Sequence, residues 1–267
     1  ILANIDHTFA ADPYPHYKNL RENSPLCFQP DGSVVVTRYQ DVKQALGNPN
    51  IYSSDKRADF LPKFGESPLY EHHTTSIVFN DPPYHTRVRK LLGPFFAARV
   101  LREMETSIAK MVDTLLNKAE DRGSFDAVKE FALVIPLNLI GDLLGVPLGD
   151  REPLLEWAQS ILGALEPSTS SERTEKGNKA VEEFKAYLQK LVWQKRKSKV
   201  RSSNLDVLGA LIEASDKDAK LNELEILHNA IFILNAGHDT TGSLIANGVD
   251  LLCRFPAQRA LLIHDPT

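Results

Sequence analysis

Asn235-Ala236-Gly237-His238-Asp239-Thr240-Thr241-Gly242 stands in the middle of a proline-free run from Leu221 to Phe255. The stretch ahead of it, Ile226-Leu227-His228-Asn229-Ala230-Ile231-Phe232-Ile233-Leu234, is apolar around nearly its whole circumference. That pattern suits a helix enclosed by others; on a surface helix it would leave an apolar side in water. The run predicts one long internal helix ended before Pro256, roughly 50 Å from end to end at the α-helical rise. Such a helix crosses a whole domain.

The octapeptide itself suits a helix poorly. Gly237 and Gly242 each cost about 1 kcal/mol relative to alanine, and Asp239, Thr240 and Thr241 add roughly a few tenths each. Nothing in the packing of a buried helix calls for this cluster. Thr240 is spaced to return its hydroxyl to the Ala236 carbonyl, which bends the helix, and Gly237 is expected to leave an open groove beside that carbonyl. The spacing equally admits two helices broken at Gly237, with Asp239 capping the second.

The 267 residues are 42 % hydrophobic and 25 % charged, an ordinary globular composition that excludes a disordered chain. A net charge of −4 with no lysine- or arginine-rich tail gives no support for nucleic acid binding. Cys27 and Cys253 make no disulfide framework and fit a reducing compartment, so the cytoplasm is expected. No charge-free apolar run of about 18 residues occurs, and the amino terminus carries neither a signal nor an anchor pattern, so a soluble protein without a membrane span is expected. The chain opens at Ile1 and closes at His264-Asp265-Pro266-Thr267, just past the apolar Ala260-Leu261-Leu262-Ile263; a piece of a longer protein is expected.

Along the chain, Tyr14 to Asn23 reads as a first helix. Leu26 to Gln29 and Ser33 to Thr37 read as a β-hairpin around Pro30-Asp31-Gly32, where glycine supplies the positive φ. Gln40 to Leu46 is a short helix. From Ile51 to Asn80 no period is sustained, which predicts a long functional or mobile loop. Helical periods then cover Pro83 to Phe96, Arg99 to Glu120, Val128 to Leu144, Glu152 to Leu162, Glu175 to Lys199 and Asn204 to Ala214. The expectation is a mainly α chain with a small amino-terminal β element, residues 1–267 forming a single domain. Lys190, Lys195, Arg196, Lys197, Lys199 and Arg201 form a basic cluster, read as solvated cations complementing a helix C-terminal dipole.

A second motif is Asp81-Pro82-Pro83-Tyr84-His85-Thr86-Arg87-Val88-Arg89-Lys90. With Pro83 near the first helical position, His85 and Arg89 stand one turn apart on one face. A guanidinium fork and an imidazole N–H on one face suit a pair of carboxylates. A surface helix with a basic stripe, joined by Arg87, Lys90 and Arg99, accounts for the same residues.

Both motifs resemble those of the cytochrome P450 family. Ala236-Gly237-His238-Asp239-Thr240-Thr241 is similar to the distal-helix signature in which an alanine or glycine pair, an acid and a threonine lie over the haem. The second motif resembles D-P-P-x-H-x-x-x-R, whose histidine and arginine hold the haem propionates. Weaker echoes lie at Thr37-Arg38-Tyr39-Gln40-Asp41-Val42, Tyr52-Ser53-Ser54 and Asn204-Leu205-Asp206-Val207-Leu208, in the order of the soluble bacterial members. The resemblance selects the unbroken helix. It implies the P450 fold, haem (heme, iron protoporphyrin IX) as cofactor, and a haem-thiolate monooxygenase that inserts one atom of O2 into an apolar or amphipathic small molecule. It implies catalytic roles for Asp239 as proton relay and Thr240 as holder of oxygen or a water. It further implies cofactor contacts by His85, Arg89, Ala236, Gly237 and Thr240, and a ferredoxin or flavoprotein electron donor docking near Arg87, Lys90, Arg99 and Arg102.

One departure is plain: after Thr241 the sequence has neither the family's E-x-x-R pair nor the loop with the iron-binding cysteine, so no metal ligand is assigned here. The expectation is the amino-terminal part of such an enzyme, with substrate-lining segments at Ile51 to Asn80 and Ile161 to Asn178. Two rivals accompany it. One is a non-catalytic helical ligand-binding or interaction fragment; the other is a metal-dependent phosphohydrolase using His238-Asp239 with His72 or His73 and Asp250.

Overall fold

The computed structural model describes residues 7–166, 169–198, 206–218 and 221–265. The chain divides into two compact units, Ile1–Ser54 and Asp55–Thr267. The first holds helices α1 (His7–Ala11) and α2 (Tyr14–Asn23), strands β1 (Leu26–Phe28) and β2 (Val34–Val36), and helix α3 (Tyr39–Leu46). The strands pair antiparallel with Cys27 opposite Val35. The turn is built as its residues dictate: Gly32 takes φ +84°, and the Asp31 carboxylate accepts the Ser33 N–H at 2.9 Å.

The second unit begins with a correction. The stretch expected to be a loop contains α4 (Arg57–Phe64), α5 (Pro68–Thr75) and a 3₁₀ turn, Ile77–Phe79. Each helix is eight residues long, too short for a period to show, and Pro62 lies inside α4. What starts α5 is local chemistry: the Ser67 hydroxyl accepts the Tyr70 N–H at 3.3 Å, and Pro68 occupies the first helical position.

Helices α6 (Tyr84–Leu92), α7 (Ala98–Arg122), α8 (Val134–Leu144), α9 (Glu152–Gly163), α10 (Ser171–Lys197), α11 (Val207–Asp218), α12 (Glu223–Arg254) and α13 (Pro256–His264) follow. Ala127–Ala132 winds as a π-helix ahead of α8. The basic residues Lys199 and Arg201, and the Asn204-Leu205 start expected for the helix before α12, lie outside the described residues.

Helix α12 runs unbroken through Asn235–Gly242, so the two-helix alternative is not what forms. Its start is fixed by a capping box: Asn222 Oδ1 accepts the Glu225 N–H at 2.9 Å, and Glu225 Oε2 accepts the Asn222 N–H at 2.8 Å. From Ile226 to Leu234 only Phe232 is less than fully buried. Helices α5, α8, α9, α10 and α11 all pack against α12. Each leucine or isoleucine enclosed there contributes about 2 kcal/mol by leaving water. This enclosure is the core.

The glycines of the octapeptide have a packing reason that sequence reasoning denied them. A Cβ on Gly237 would lie 2.5 Å from Ile140 Cδ1, and one on Gly242 would lie 2.7 Å from Leu133 Cδ2. The expected groove beside Gly237 is therefore taken by Ile140 of α8. Small residues at these two places let α12 approach α8 and the turn before it.

Replacing Gly237 by alanine sets a helix-propensity gain of about 1 kcal/mol against an overpacking cost of about 1 to 3 kcal/mol. The expected outcome in a denaturant titration is a net loss near 1 kcal/mol, recovered when Ile140→Val removes the opposing methyl. A Gly237→Ala protein more stable than the parent would contradict the close crossing.

Candidate functional site

The second half of α12 differs in character from the first. Beyond Asn235 only His238 and Gly242 are fully buried, both turned toward the α8 side. Ala236, Asp239, Thr240, Ser243 and Asn247 are exposed. Spaced three or four apart, they share one face of the helix. On that face Thr240 Oγ1 donates to the Ala236 carbonyl at 2.9 Å, the back-bond its spacing predicted. Asp239 flanks it with an exposed carboxylate. Gly237 stands off this face, against Ile140.

His85 and Arg89 lie one turn apart on α6, the first half-buried and the second exposed. Neither side chain has a hydrogen-bond or ion-pair partner among the described residues. Arg87, between them in sequence, is engaged. Its guanidinium grips Glu225 at the start of α12 through two bonds, Nη2 to Oε1 at 2.6 Å and Nη1 to Oε2 at 3.1 Å, and it lies over the Tyr84 ring at 5.0 Å. The helix thus carries one arginine bound within the protein and one free, with His85 free beside it.

Sequence reasoning missed the polar layer at the α12 entrance. Asn229 Oδ1 accepts the Ile77 N–H at 3.0 Å, and its amide donates to the Tyr84 hydroxyl at 3.1 Å and the Glu225 carbonyl at 2.7 Å. The Tyr84 hydroxyl in turn donates to the Thr75 carbonyl. Next to Asn229 in the chain, His228 Nε2 donates to Glu71 Oε1 at 2.9 Å, and Lys185 donates to the same oxygen at 2.7 Å. With that proton on Nε2, His228 Nδ1 is left to accept from His72 Nδ1 at 3.4 Å. Burial depresses the pKa of all three central histidines, His73 to about 4, and keeps them neutral near pH 7. Burial pushes the Glu71 carboxyl up, but the bonds from Lys185 and His228 outweigh it and hold it below its ordinary value. The partners that His228 and Asn229 find at Glu71, His72, Ile77 and Tyr84 lie 145 to 157 positions away in the sequence, and no local pattern marks them.

The metal reading of His238-Asp239 finds no support. His72 pairs with His228, and His238 is buried with both ring nitrogens unbonded. Among the described residues no group of three or more His, Cys, Asp or Glu side chains could hold an ion. Burial lowers the His238 pKa, partly offset by the neighbouring Asp239 carboxylate. The basic cluster at the end of α10 is largely tied within the fold. Lys195 bonds Asp206 at 2.6 Å, Arg196 bonds Asp216 and Glu223 at 3.0 and 3.2 Å, and Lys197 lies over the Trp193 ring at 3.7 Å. Both cysteines are free. No described helix is long and apolar enough to cross a membrane.

This donor set fits a haem. Two unpartnered donors on one flank of α6 match two propionates, and the Ala236–Thr240 face offers a small side chain and a hydroxyl.

Comparisons with known proteins show the family. The cytochrome P450 family model matches residues 25–261. A vitamin D(3) 25-hydroxylase from Pseudonocardia autotrophica is 36 % identical over 264 residues, 97 % of this chain and 62 % of the relative. Among solved structures, CalO2 superposes with a TM-score of 0.89 at 30 % identity, covering 98 % of this chain and 64 % of that one. Epothilone B-bound cytochrome P450epoK gives 0.85 at 28 % identity over 98 % and 66 %. The chain spans about three fifths of the length of the curated relatives it matches. With the family model matched along nearly all of it and the two motifs placed on α6 and α12, the chain belongs to the cytochrome P450 family.

Proposed function

We propose that the chain is the distal and propionate-binding part of a haem-thiolate monooxygenase that inserts one oxygen atom from O2 into an apolar or amphipathic small molecule. The observation that carries this reading is the contrast on α6: Arg87 is held by Glu225, whereas His85 and Arg89 are left without partners on another flank of the same helix. When bound, a thiolate-ligated haem would supply the oxygen chemistry. The ligating cysteine is assigned to the part of the relatives that this chain does not span, and to neither Cys27 nor Cys253.

The chain's own residues would then bind, orient and move protons. His85 and Arg89 would hold the propionates by charge-assisted bonds. Ala236 would leave room beside the iron. Thr240 Oγ1, once turned from the Ala236 carbonyl, would hold a proton at the distal side, and Asp239, open to solvent, would replenish it. Gly237 would contribute through its backbone, because Ile140 fills the space beside it. The names of the relatives support an apolar or amphipathic substrate, one being a vitamin D(3) hydroxylase and another an epothilone B complex. A ferredoxin or flavoprotein donor would dock on the exposed Lys90, Arg99 and Arg102; Arg87 is withdrawn from that surface by Glu225. Two unpaired cysteines support a cytoplasmic setting.

Two tests follow from these roles. Replacing His85 and Arg89 together by alanine removes charge-assisted bonds worth about 1.5 to 3 kcal/mol each, so the haem-loaded protein should leave gel filtration depleted of haem. Equal haem content in parent and variant would defeat the clamp and favour the non-catalytic reading. In the same protein Thr240→Ala should keep substrate binding and electron uptake while diverting NAD(P)H-derived electrons to hydrogen peroxide. Asp239→Asn should slow turnover about a hundredfold. Unchanged coupling and rate would remove both residues from the proton path.

A further inference from the structure

Helix α6 must present His85 and Arg89 in one direction, and a helix so short can rotate about its axis unless something fixes it. At about 100° per residue, Tyr84, Val88, Leu91 and Leu92 make its packed side, with Val88 and Leu92 buried. Arg87 lies on one flank of that side; His85 and Arg89 lie on the other. Apolar packing is tolerant of small rotations, whereas a two-point guanidinium–carboxylate fork is not. Arg87 makes such a fork with Glu225, whose side chain is mostly buried. Glu225 is itself immobilised by the Asn222 N–H, and one turn further along α12 Asn229 holds the Tyr84 hydroxyl. The first residue of α6 and the arginine three positions on are therefore both pinned to the first two turns of α12.

We propose that Arg87 and Glu225, backed by Asn229 and Tyr84, are positioning residues that set the rotation of α6 and thereby aim His85 and Arg89 at the haem propionates. This rests on the propionate clamp proposed above and adds to it. The arrangement gives the fork a purpose that neither of its partners shows alone, because Glu225 already has its capping role without Arg87.

The test is the rate at which ferric haem passes from the loaded, full-length enzyme to excess apomyoglobin, followed by the shift of the Soret band. Arg87→Met removes the fork and leaves the Glu225 cap in place; it should speed transfer about tenfold, a coupling of the size found between directly contacting groups. Arg87→Lys, which keeps the charge but not the fork, should fall between the two. Glu225→Gln provides a second variant, since glutamine preserves the capping box; it should move the rate in the same direction. In the His85→Ala/Arg89→Ala background Arg87→Met should add less than about twofold, because there is no longer a clamp to aim. Parental transfer rates in Arg87→Met and Glu225→Gln, with fast transfer in the clamp variant, would overturn the positioning role and spare the clamp. Equal acceleration by Arg87→Met in both backgrounds would also overturn it, showing general loosening. Parental rates in the clamp variant itself would overturn both.

Discussion

A helix enclosed on every side must find an internal partner for each polar group it carries, and the entrance of α12 carries three: Glu225, His228 and Asn229. Left unbonded, each would cost roughly 1 to 3 kcal/mol or more. Their partners are Arg87 and Tyr84 of α6, the Ile77 backbone, and Glu71 with His72 of α5. Satisfying the helix therefore assembles the region around it. Lys185 on α10 joins through the shared Glu71 oxygen, so a fourth helix is drawn to the same layer. The segment from Glu71 to Arg87 has little apolar periodicity of its own, and this polar contact with α12 fixes its course.

Past Asn235 the demand is reversed. The helix no longer needs to be apolar all round, and its two flanks do different work. Gly237 and Gly242 let Ile140 and Leu133 come close, which holds the helix on α8. Ala236, Asp239 and Thr240 remain exposed on a face of small and hydrogen-bonding side chains. The sequence features that make this stretch a poor helix are thus divided between close packing and an exposed polar face.

Much of this was legible beforehand. The hairpin with Gly32 at its turn and the Thr240 to Ala236 bond follow from local rules, because each depends on residues within one or two turns; the long helix, placed to within two residues at its start, was open to a break at Gly237 on spacing alone and was selected by resemblance. The helices α4 and α5 were not legible, since eight residues interrupted or begun by proline give no countable period. The glycines were misread for a related reason: their need lies in Ile140 and Leu133, on another element far back in the chain. Arg87 was read with the free basic stripe because its partner Glu225 lies 138 positions away. The candidate site residues were named by resemblance, and the structure adds which of them share a face.

In the proposed arrangement the Ala236–Thr240 face of α12, and not the Gly237–Gly242 side packed on α8, looks toward the cofactor. Paramagnetic broadening in the ferric haem-loaded protein, with alanine and threonine methyls labelled, reads this directly because the effect falls steeply with distance from the iron. The Ala236 and Thr240 methyls should broaden strongly, and buried Ala132, whose carbonyl lies beside Gly242, should keep a sharp signal. A broadened Ala132 methyl with sharp signals from Ala236 and Thr240 would contradict that arrangement.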